Sequence, residues 1–199
     1  IINENGKIIN TDNDRFRIYG NLVNNNKNNA NVNGRYDLFG TNKIIEGSFR
    51  CYHLRIFGSY TNNCTVEFPL EITNDFDGSG TLTQAENAYL KIQSTNSAYI
   101  IASAPYNTVI YSKKANQNIN CSEFYNVILA NTNKNIYINQ NCNIINSLVF
   151  EKECFLHCNS FSLTFDNYYD GIISISDQAN QGIILDKGKI ICNGVLKNQ

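Results

Sequence analysis

Two stretches of the chain, about 70 residues apart, carry the same order of short strands and turns. The first comprises residues 36–40, 43–47, 52–56 and 65–68, and the second comprises residues 108–111, 118–121, 125–129 and 135–138. Self-similarity built from short alternating runs between Asn and Gly turns is typical of stacked strands rather than of a globule with one central core. The repeat therefore predicts an all-β fold, with a β-solenoid favoured.

The spacing of the predicted strands, about 7 to 12 residues, is too short for crossover helices. It suits the successive sides of a β-helix turn or, as the alternative, the hairpins of an antiparallel β-sandwich. The 199 residues are long enough for one domain with a real core. We predict a single solenoid domain with two related units, at about 16–90 and 99–165, and a partial unit at 166–199.

Alternation of apolar and polar residues gives the individual strands. A polar tract from Asn24 to Asn33 predicts a loop, because it has almost no core-forming side chain. A strand is predicted from Thr65 to Ile72, although Pro69 interrupts it. Residues 82–92 also allow a helix, with apolar positions three and four apart, but the alternation of Tyr89 to Gln93 favours a strand.

Composition narrows the classes of partner. The net charge of -1, with acids and bases intermixed, gives no basic stripe, so nucleic acid is not an expected partner. No run reaches the ~20 apolar residues that a membrane-spanning helix needs. The chain starts at Ile1 and contains no Met, so we expect a mature processed protein or a portion of a longer one.

Seven cysteines form no CxxC pair that would indicate a zinc or redox motif. Successive turns of a solenoid stack at ~4.8 Å, which a disulfide can bridge, and the spacing of Cys121 and Cys142 makes them disulfide candidates. The alternative is that most of these thiols are small buried apolar groups. A zinc site that includes Cys154, His157 and Cys158 is a further hypothesis.

The opening pattern resembles a known type of repeat. Residues 20–25 (GNLVNN), the strand ending Leu38-Phe39-Gly40, the turn at residues 44–47 (IIEG) and the strand at residues 52–56 (YHLRI) are similar to the right-handed parallel β-helix repeats of Bacteroidota surface proteins. The second copy, from residue 108 to residue 138, fits the same pattern. This resemblance implies a right-handed parallel β-helix in a secreted or cell-surface protein.

Residues 75–86 fit the twelve-residue EF-hand calcium loop. In that pattern the candidate calcium ligands are Asp75, Asp77, Ser79, the carbonyl of Thr81, and Glu86. Hard oxygen ligands at alternate positions can surround a Ca²⁺ ion, and Ca²⁺ is therefore the cofactor that the sequence allows. The alternative is a polar turn between two strands, because the segment before Asp75 has the alternation of a strand rather than of an entering helix.

Signals for an enzyme are few. His53 and His157 could serve as bases at neutral pH, but neither lies in a nucleophile motif. Polysaccharide-cleaving β-helix enzymes cluster carboxylates on one outer face, which makes Asp166, Asp170 and Asp177 candidates. The neighbouring Tyr168 and Tyr169, together with Asp170, are candidate sugar-binding residues, since aromatic rings can stack on sugars.

These observations favour a non-enzymatic structural or adhesive module, extracellular or at the cell surface, that belongs to a larger surface protein or assembly. Its expected partners are other protein subunits or flanking domains, and a glycan. Two other functions stay open: a polysaccharide-active enzyme on the same scaffold, and a calcium-dependent binding module centred on residues 75–86.

Overall fold

A computed structural model describes residues 15–25, 31–130, 134–151, 153–165, 172–174 and 182–192. This part of the chain contains no helix and forms 21 β-strands. The strands are β1 (Arg15–Ile18), β2 (Leu22–Asn24), β3 (Asn31–Leu38), β4 (Lys43–Gly47), β5 (Phe49–Ile56), β6 (Ser59–Asn62), β7 (Leu70–Asp77), β8 (Thr81–Gln84), β9 (Tyr89–Ile92), β10 (Thr95–Asn96), β11 (Tyr99–Ala102), β12 (Thr108–Tyr111), β13 (Gln117–Ile119), β14 (Cys121–Leu129), β15 (Lys134–Ile138), β16 (Cys142–Phe150), β17 (Cys154–His157), β18 (Ser162–Phe165), β19 (Ile172–Ser174), β20 (Gly182–Ile184) and β21 (Lys189–Cys192).

Among the described residues, every strand pairing is parallel. The chain is a parallel β-solenoid, as the sequence predicted, and the antiparallel sandwich is wrong. Each strand pairs with strands one turn before and one turn after it, for example β6 with β4 and with β8. Parallel pairing between short strands requires this winding, because a two-residue hairpin can join only antiparallel neighbours.

Three faces surround the core. We call face A the side formed by β1, the second halves of β3, β5 and β7, and then β10, β13, β15, β17 and β20. Face B contains β2, β4, β6, β8, β11, the first halves of β14 and β16, β18 and β21. Face C contains the first halves of β3, β5 and β7, then β9, β12, the second halves of β14 and β16, and β19.

Alternation within each strand separates the core from the outer surface. Strand β8 shows the pattern: Leu82 and Gln84 are buried, while Thr81 and Thr83 are half-buried on the outer side. Since side chains of a strand point alternately to opposite faces, each turn places every second side chain inside. Buried side chains of successive turns lie in register, and the result is an elongated apolar column rather than a central core.

Three local predictions need correction. The predicted strand from Thr65 to Ile72 begins only at Leu70, because Pro69 has no N–H and restricts the residue before it. The helix allowed for residues 82–92 is wrong: this segment contains β8 and β9, joined by a turn in which Asn87 has φ 59°. The predicted loop from Asn24 to Asn33 is too long at both ends, since Asn24 belongs to β2 and β3 begins at Asn31, and residues 26–30 lie outside the described residues.

The repeat of the structure is one turn of the solenoid. Phe16 pairs with Tyr36 and Tyr36 with Leu54, which are steps of 20 (36 − 16) and 18 (54 − 36) residues. The repeat of about 70 residues in the sequence aligns Tyr36, which lies on face A, with Thr108, which lies on face C. Strands also pair across the expected boundary between the two units, from Tyr89 to Thr108, so the stack is continuous there.

Glycines form a column where face A meets face B. A Cβ on Gly58 would lie 1.9 Å from the carbonyl oxygen of Gly40, and a Cβ on Gly80 would lie 2.1 Å from the carbonyl oxygen of Gly58. At Gly40 the corresponding contact is 2.4 Å from the carbonyl oxygen of Tyr19. We call Gly40, Gly58 and Gly80 the glycine column; it lets backbones of successive turns approach where a side chain has no room.

Candidate functional site

Ionisable side chains concentrate on the outer side of face A, over its first four strands. We call this set the charged ladder; its members are Arg15, Arg17, Arg35, Asp37, His53, Arg55, Asp75 and Asp77. It has two rows, because outward positions lie two residues apart in each strand. One row contains Arg15, Arg35, His53 and Asp75, and the other contains Arg17, Asp37, Arg55 and Asp77.

Asp37 lies at the centre of the ladder and is only 2% exposed. Its Oδ2 is 3.3 Å from Nε of Arg15, one turn before it, and its Oδ1 is 4.0 Å from Nη1 of Arg55, one turn after it. Burying a carboxylate costs several kcal/mol unless it is paired. The two guanidinium groups therefore compensate the Asp37 charge and cover it, which makes cations the outermost groups of this part of face A.

A histidine–carboxylate contact and an arginine–carboxylate ion pair continue the ladder towards β7. The Nδ1 atom of His53 lies 2.6 Å from Oδ2 of Asp75, and Nε of Arg55 donates to Oδ1 of Asp77 at 2.8 Å. The Asp75 and Asp77 side chains are 44% and 42% exposed, so this end of the ladder presents carboxylates to solvent. Face A thus changes from cationic over β1 and β3 to anionic over β7.

Aromatic rings stack beside the charged ladder. The rings of Tyr19 and Phe39 are 5.4 Å apart, those of Phe39 and Phe57 are 4.7 Å apart, and both pairs are nearly parallel. The guanidinium carbon of Arg55 lies 5.0 Å from the centre of the Phe57 ring. We call Tyr19, Phe39 and Phe57 the aromatic ladder. Its first member, Tyr19, is 64% exposed and offers a ring face to a ligand.

The candidate calcium ligands are spread along the chain rather than wrapped around a point. Asp75 and Asp77 lie on β7 and pair with His53 and Arg55, Ser79 lies in the following turn, and Thr81 begins β8. Glu86 follows β8, and because a strand rises about 3.3 Å per residue it lies on the order of 10 Å beyond Thr81. Within the described part of the chain no group of three or more His, Cys, Asp or Glu side chains could hold a metal ion.

Calcium binding stays a prediction. If residues 75–86 bind Ca²⁺, isothermal titration of the protein should release or absorb heat, and Asp75→Ala should remove that heat. Ser79→Ala keeps all three carboxylates and is the matched control, with an expected smaller loss of affinity, because Ca²⁺ affinity follows the number of charged ligands. Absence of heat at millimolar Ca²⁺ would dispose of the hypothesis.

Six of the seven cysteines, those whose side chains the structure describes, lie inside the column. The structure holds the disulfide candidates Cys121 and Cys142 as free, buried thiols, and their pairing stays a prediction. Burial raises the pKa of Cys121 to about 12, and it raises the pKa of Cys142 well above its usual value. The zinc hypothesis lacks support, because Cys154 is buried inside β17 whereas His157 points outward to Asp186.

Native thiols are expected to be unreactive, because the thiolate is the reactive form and burial disfavours it. In a Cys192→Ser variant, six cysteines remain, and all six are buried. We expect an aromatic disulfide reagent at pH 8 to modify essentially none of them in the folded protein and all six in guanidinium chloride. Four reactive thiols after unfolding would instead indicate one disulfide, and mass spectrometry would identify whether it joins Cys121 and Cys142.

A second histidine site lies further along face A. His157 Nδ1 is 3.3 Å from Oδ2 of Asp186, and the Tyr137 ring centre is 4.8 Å from that of His157. The candidate sugar-binding residues Tyr168, Tyr169 and Asp170 lie outside the described residues, as do Asp166 and Asp177.

A cavity of about 390 Å³ lies where face B meets face C. Its lining includes the carboxylate of Glu46, the amides of Asn25 and Asn63, and the ring of Phe68. The volume is in the range of small-molecule sites, and the lining offers hydrogen bonds but no cation. This cavity could hold a neutral polar ligand, whereas the charged ladder could hold an anion.

Two features of the sequence correspond to this site and are not part of any motif considered above. All five arginines lie between residues 15 and 55, and the rest of the chain uses lysine. The four-residue segments RIYG (17–20), DLFG (37–40) and RIFG (55–58) recur at the interval of one turn. Each segment contributes one charged residue and one aromatic ring to face A and a glycine at the corner. This short repeat therefore shows which residues of successive turns align in the charged ladder and in the aromatic ladder.

Comparisons of the chain with family models, with curated proteins and with solved structures found no match. In the part of the chain that the structure describes, no helix has the length and apolar character needed to cross a membrane.

Proposed function

We propose that this chain is a non-enzymatic structural and adhesive module, extracellular or at the cell surface, within a larger surface protein or assembly. The observation that carries the proposal is the use of ionisable groups on face A. Asp37, Arg55, Asp75 and Asp77 form contacts with residues of adjacent turns. These contacts join adjacent turns, which suits a structural role. The same charged groups lie on the outer surface, where they can also contact a partner.

A stack of parallel turns is suited to a spacer. Each turn is bonded to the turn before and the turn after through backbone hydrogen bonds, as between Ser59, Thr81 and Tyr99 on face B. Stability in such arrays is a sum of turn and interface contributions, and end turns need covering by flanking sequence or another subunit. Flanking domains and other protein subunits are therefore the proposed partners, together with a glycan on an outer face.

Antibody labelling of intact cells tests the location and the adhesive role together. Antibodies raised against the purified chain should label cells that have not been permeabilised, and the purified chain should compete with the parent protein for attachment. Labelling only after permeabilisation would contradict the proposal. A cytosolic protein of the same cells provides the control for cell integrity.

A polysaccharide-active enzyme is the second candidate, and one observation favours it. His53 is held by Asp75 through Nδ1 at 2.6 Å, which is the arrangement that orients a histidine as a base, and its Nε2 lies 3.3 Å from the side-chain amide of Asn74, which would have to move for Nε2 to take a proton. If this pair is catalytic, the chain should shorten a polysaccharide, and His53→Gln should abolish the shortening. Asp166→Ala and Asp170→Ala test the carboxylates suggested by the sequence. Unchanged polymer length with the native chain would exclude this function for the polymers tested.

A further inference from the structure

The cationic end of face A carries two arginines without a carboxylate partner. Arg17 and Arg35 form no ion pair in the part of the chain that the structure describes, whereas Arg15, Arg50 and Arg55 each do. The Nε atom of Arg35 is shielded from solvent and lacks an acceptor. A guanidinium partly removed from water and left unpaired costs free energy, and an external anion would offset that cost.

Like charges also lie side by side at this end. Arg15 and Arg35 are register partners on adjacent strands, and strands lie ~4.8 Å apart. Like charges directly opposite each other destabilise a sheet. The buried carboxylate of Asp37 pairs with Arg15 at 3.3 Å and with Arg55 at 4.0 Å, and no ion pair joins it to Arg35 among the described residues. An anion above the two guanidinium groups would relieve the repulsion that remains.

The shape of the surface indicates what kind of anion. The aromatic ladder runs beside the charged ladder along the solenoid axis, since Tyr19 directly follows β1, which carries Arg17, and Phe57 directly follows β5, which carries Arg55. Guanidinium groups bind carboxylates with a planar pair of hydrogen bonds. The exposed ring of Tyr19 can pack against the C–H face of a sugar. A linear polymer of acidic sugars meets both requirements.

We propose that the first strands of face A, around Arg17, Arg35 and Tyr19, bind an extended carboxylate-bearing polysaccharide. This proposal deepens the adhesive function and rests on it. The polymer lies over β1 and β3, because the exposed carboxylates of Asp75 and Asp77 repel it from β7. Its affinity falls as salt concentration rises, since exposed charges are screened within a Debye length of ~8 Å at physiological ionic strength.

Binding of polygalacturonate to the full chain tests the proposal. The double variant R17Q/R35Q removes two unpaired charges, and we expect at least a tenfold loss of affinity at 50 mM salt with an unfolding temperature no lower than that of the native chain, because the substitution also removes the repulsion between Arg15 and Arg35. The control K113Q/K114Q removes the same net charge at a distant corner, and its affinity should change less than twofold. The variant R17K/R35K keeps the charge but loses the planar fork, so its affinity should lie between the two.

Three results would overturn the proposal: no binding of polygalacturonate, equal losses in the arginine and lysine variants, or equally tight binding of single-stranded DNA. Neutral dextran should not bind. The length of the polygalacturonate is measured after incubation in the same samples. Shortening of the polymer would contradict the non-enzymatic function while leaving the binding site in place, whereas absence of binding, with surface labelling intact, would contradict only this inference.

Discussion

Replacing Gly58 by alanine is expected to lower the free energy of unfolding by about 3 kcal/mol. The new Cβ would lie 1.9 Å from the carbonyl oxygen of Gly40 and 2.8 Å from the Gly40 carbonyl carbon. Both obstacles are backbone atoms of the preceding turn, so no side chain can move aside. The two turns must separate, and strand pairs on either side of the corner lose hydrogen-bond geometry.

Gly20→Ala is the matched control for this substitution. Gly20 follows Tyr19 as Gly58 follows Phe57, but a Cβ at Gly20 meets no atom within 4 Å. Thermal unfolding followed by circular dichroism should show a decrease of about 10 °C for Gly58→Ala, as expected for a chain of this length, and a change of less than about 2 °C for Gly20→Ala. Equal effects of the two substitutions would contradict the close stacking at the glycine column.

Phe76→Ala is expected to cost about 3 to 5 kcal/mol, the usual range for removing a buried aromatic side chain. Phe76 is 1% exposed and pairs in register with Leu54 of the preceding turn. In the calcium-loop pattern the same residue lies between two metal ligands, within a loop wrapped around an ion. A large loss of stability in this variant would indicate that Phe76 lies on a strand packed in the column. A small loss would indicate a loop around an ion.

The neighbouring Asp77→Ala provides the comparison. Its carboxylate pairs with Arg55 at the surface, with side chains that are 42% and 33% exposed, so its loss should cost less than about 1 kcal/mol. Urea denaturation measures both variants under the same conditions. Similar destabilisation by Phe76→Ala and Asp77→Ala, in the absence of Ca²⁺, would be incompatible with the alternation that the structure assigns to β7.

The fold was predictable because its period-two alternation is local. Strands such as β8 and β9 show it clearly, and short spacing excluded crossover helices. The length of one solenoid turn was not predicted. The repeated order of strands and turns aligns Tyr36 with Thr108, and these two residues lie on different faces. The spacing of the glycine and aromatic residues at the corners gives the true length of a turn. Close backbone contact between turns restricts the choice of residue at these corners more strongly than at strand positions.

The candidate site was harder to predict than the fold. Asp75 and Asp77 match a metal-binding motif because that motif is defined by residues close together in the sequence. Their contacts are His53 and Arg55, 22 residues earlier (75 − 53 and 77 − 55), on the preceding turn. Only the register of the turns shows this relation, and it also shows that Arg17 and Arg35 have no carboxylate partner in the described part of the chain.

Cross-linking of adjacent turns tests the parallel stacking most directly. Ser59 pairs with Thr81 and Thr61 with Thr83, all on the outer side of face B. With cysteines introduced in pairs, parallel stacking at ~4.8 Å predicts efficient disulfides for 59 with 81 and for 61 with 83. The diagonal pairs, 59 with 83 and 61 with 81, lie about 7–8 Å apart and should form little. Antiparallel neighbours would reverse this pattern, and efficient cross-linking of the diagonal pairs alone, mapped by mass spectrometry, would contradict the solenoid.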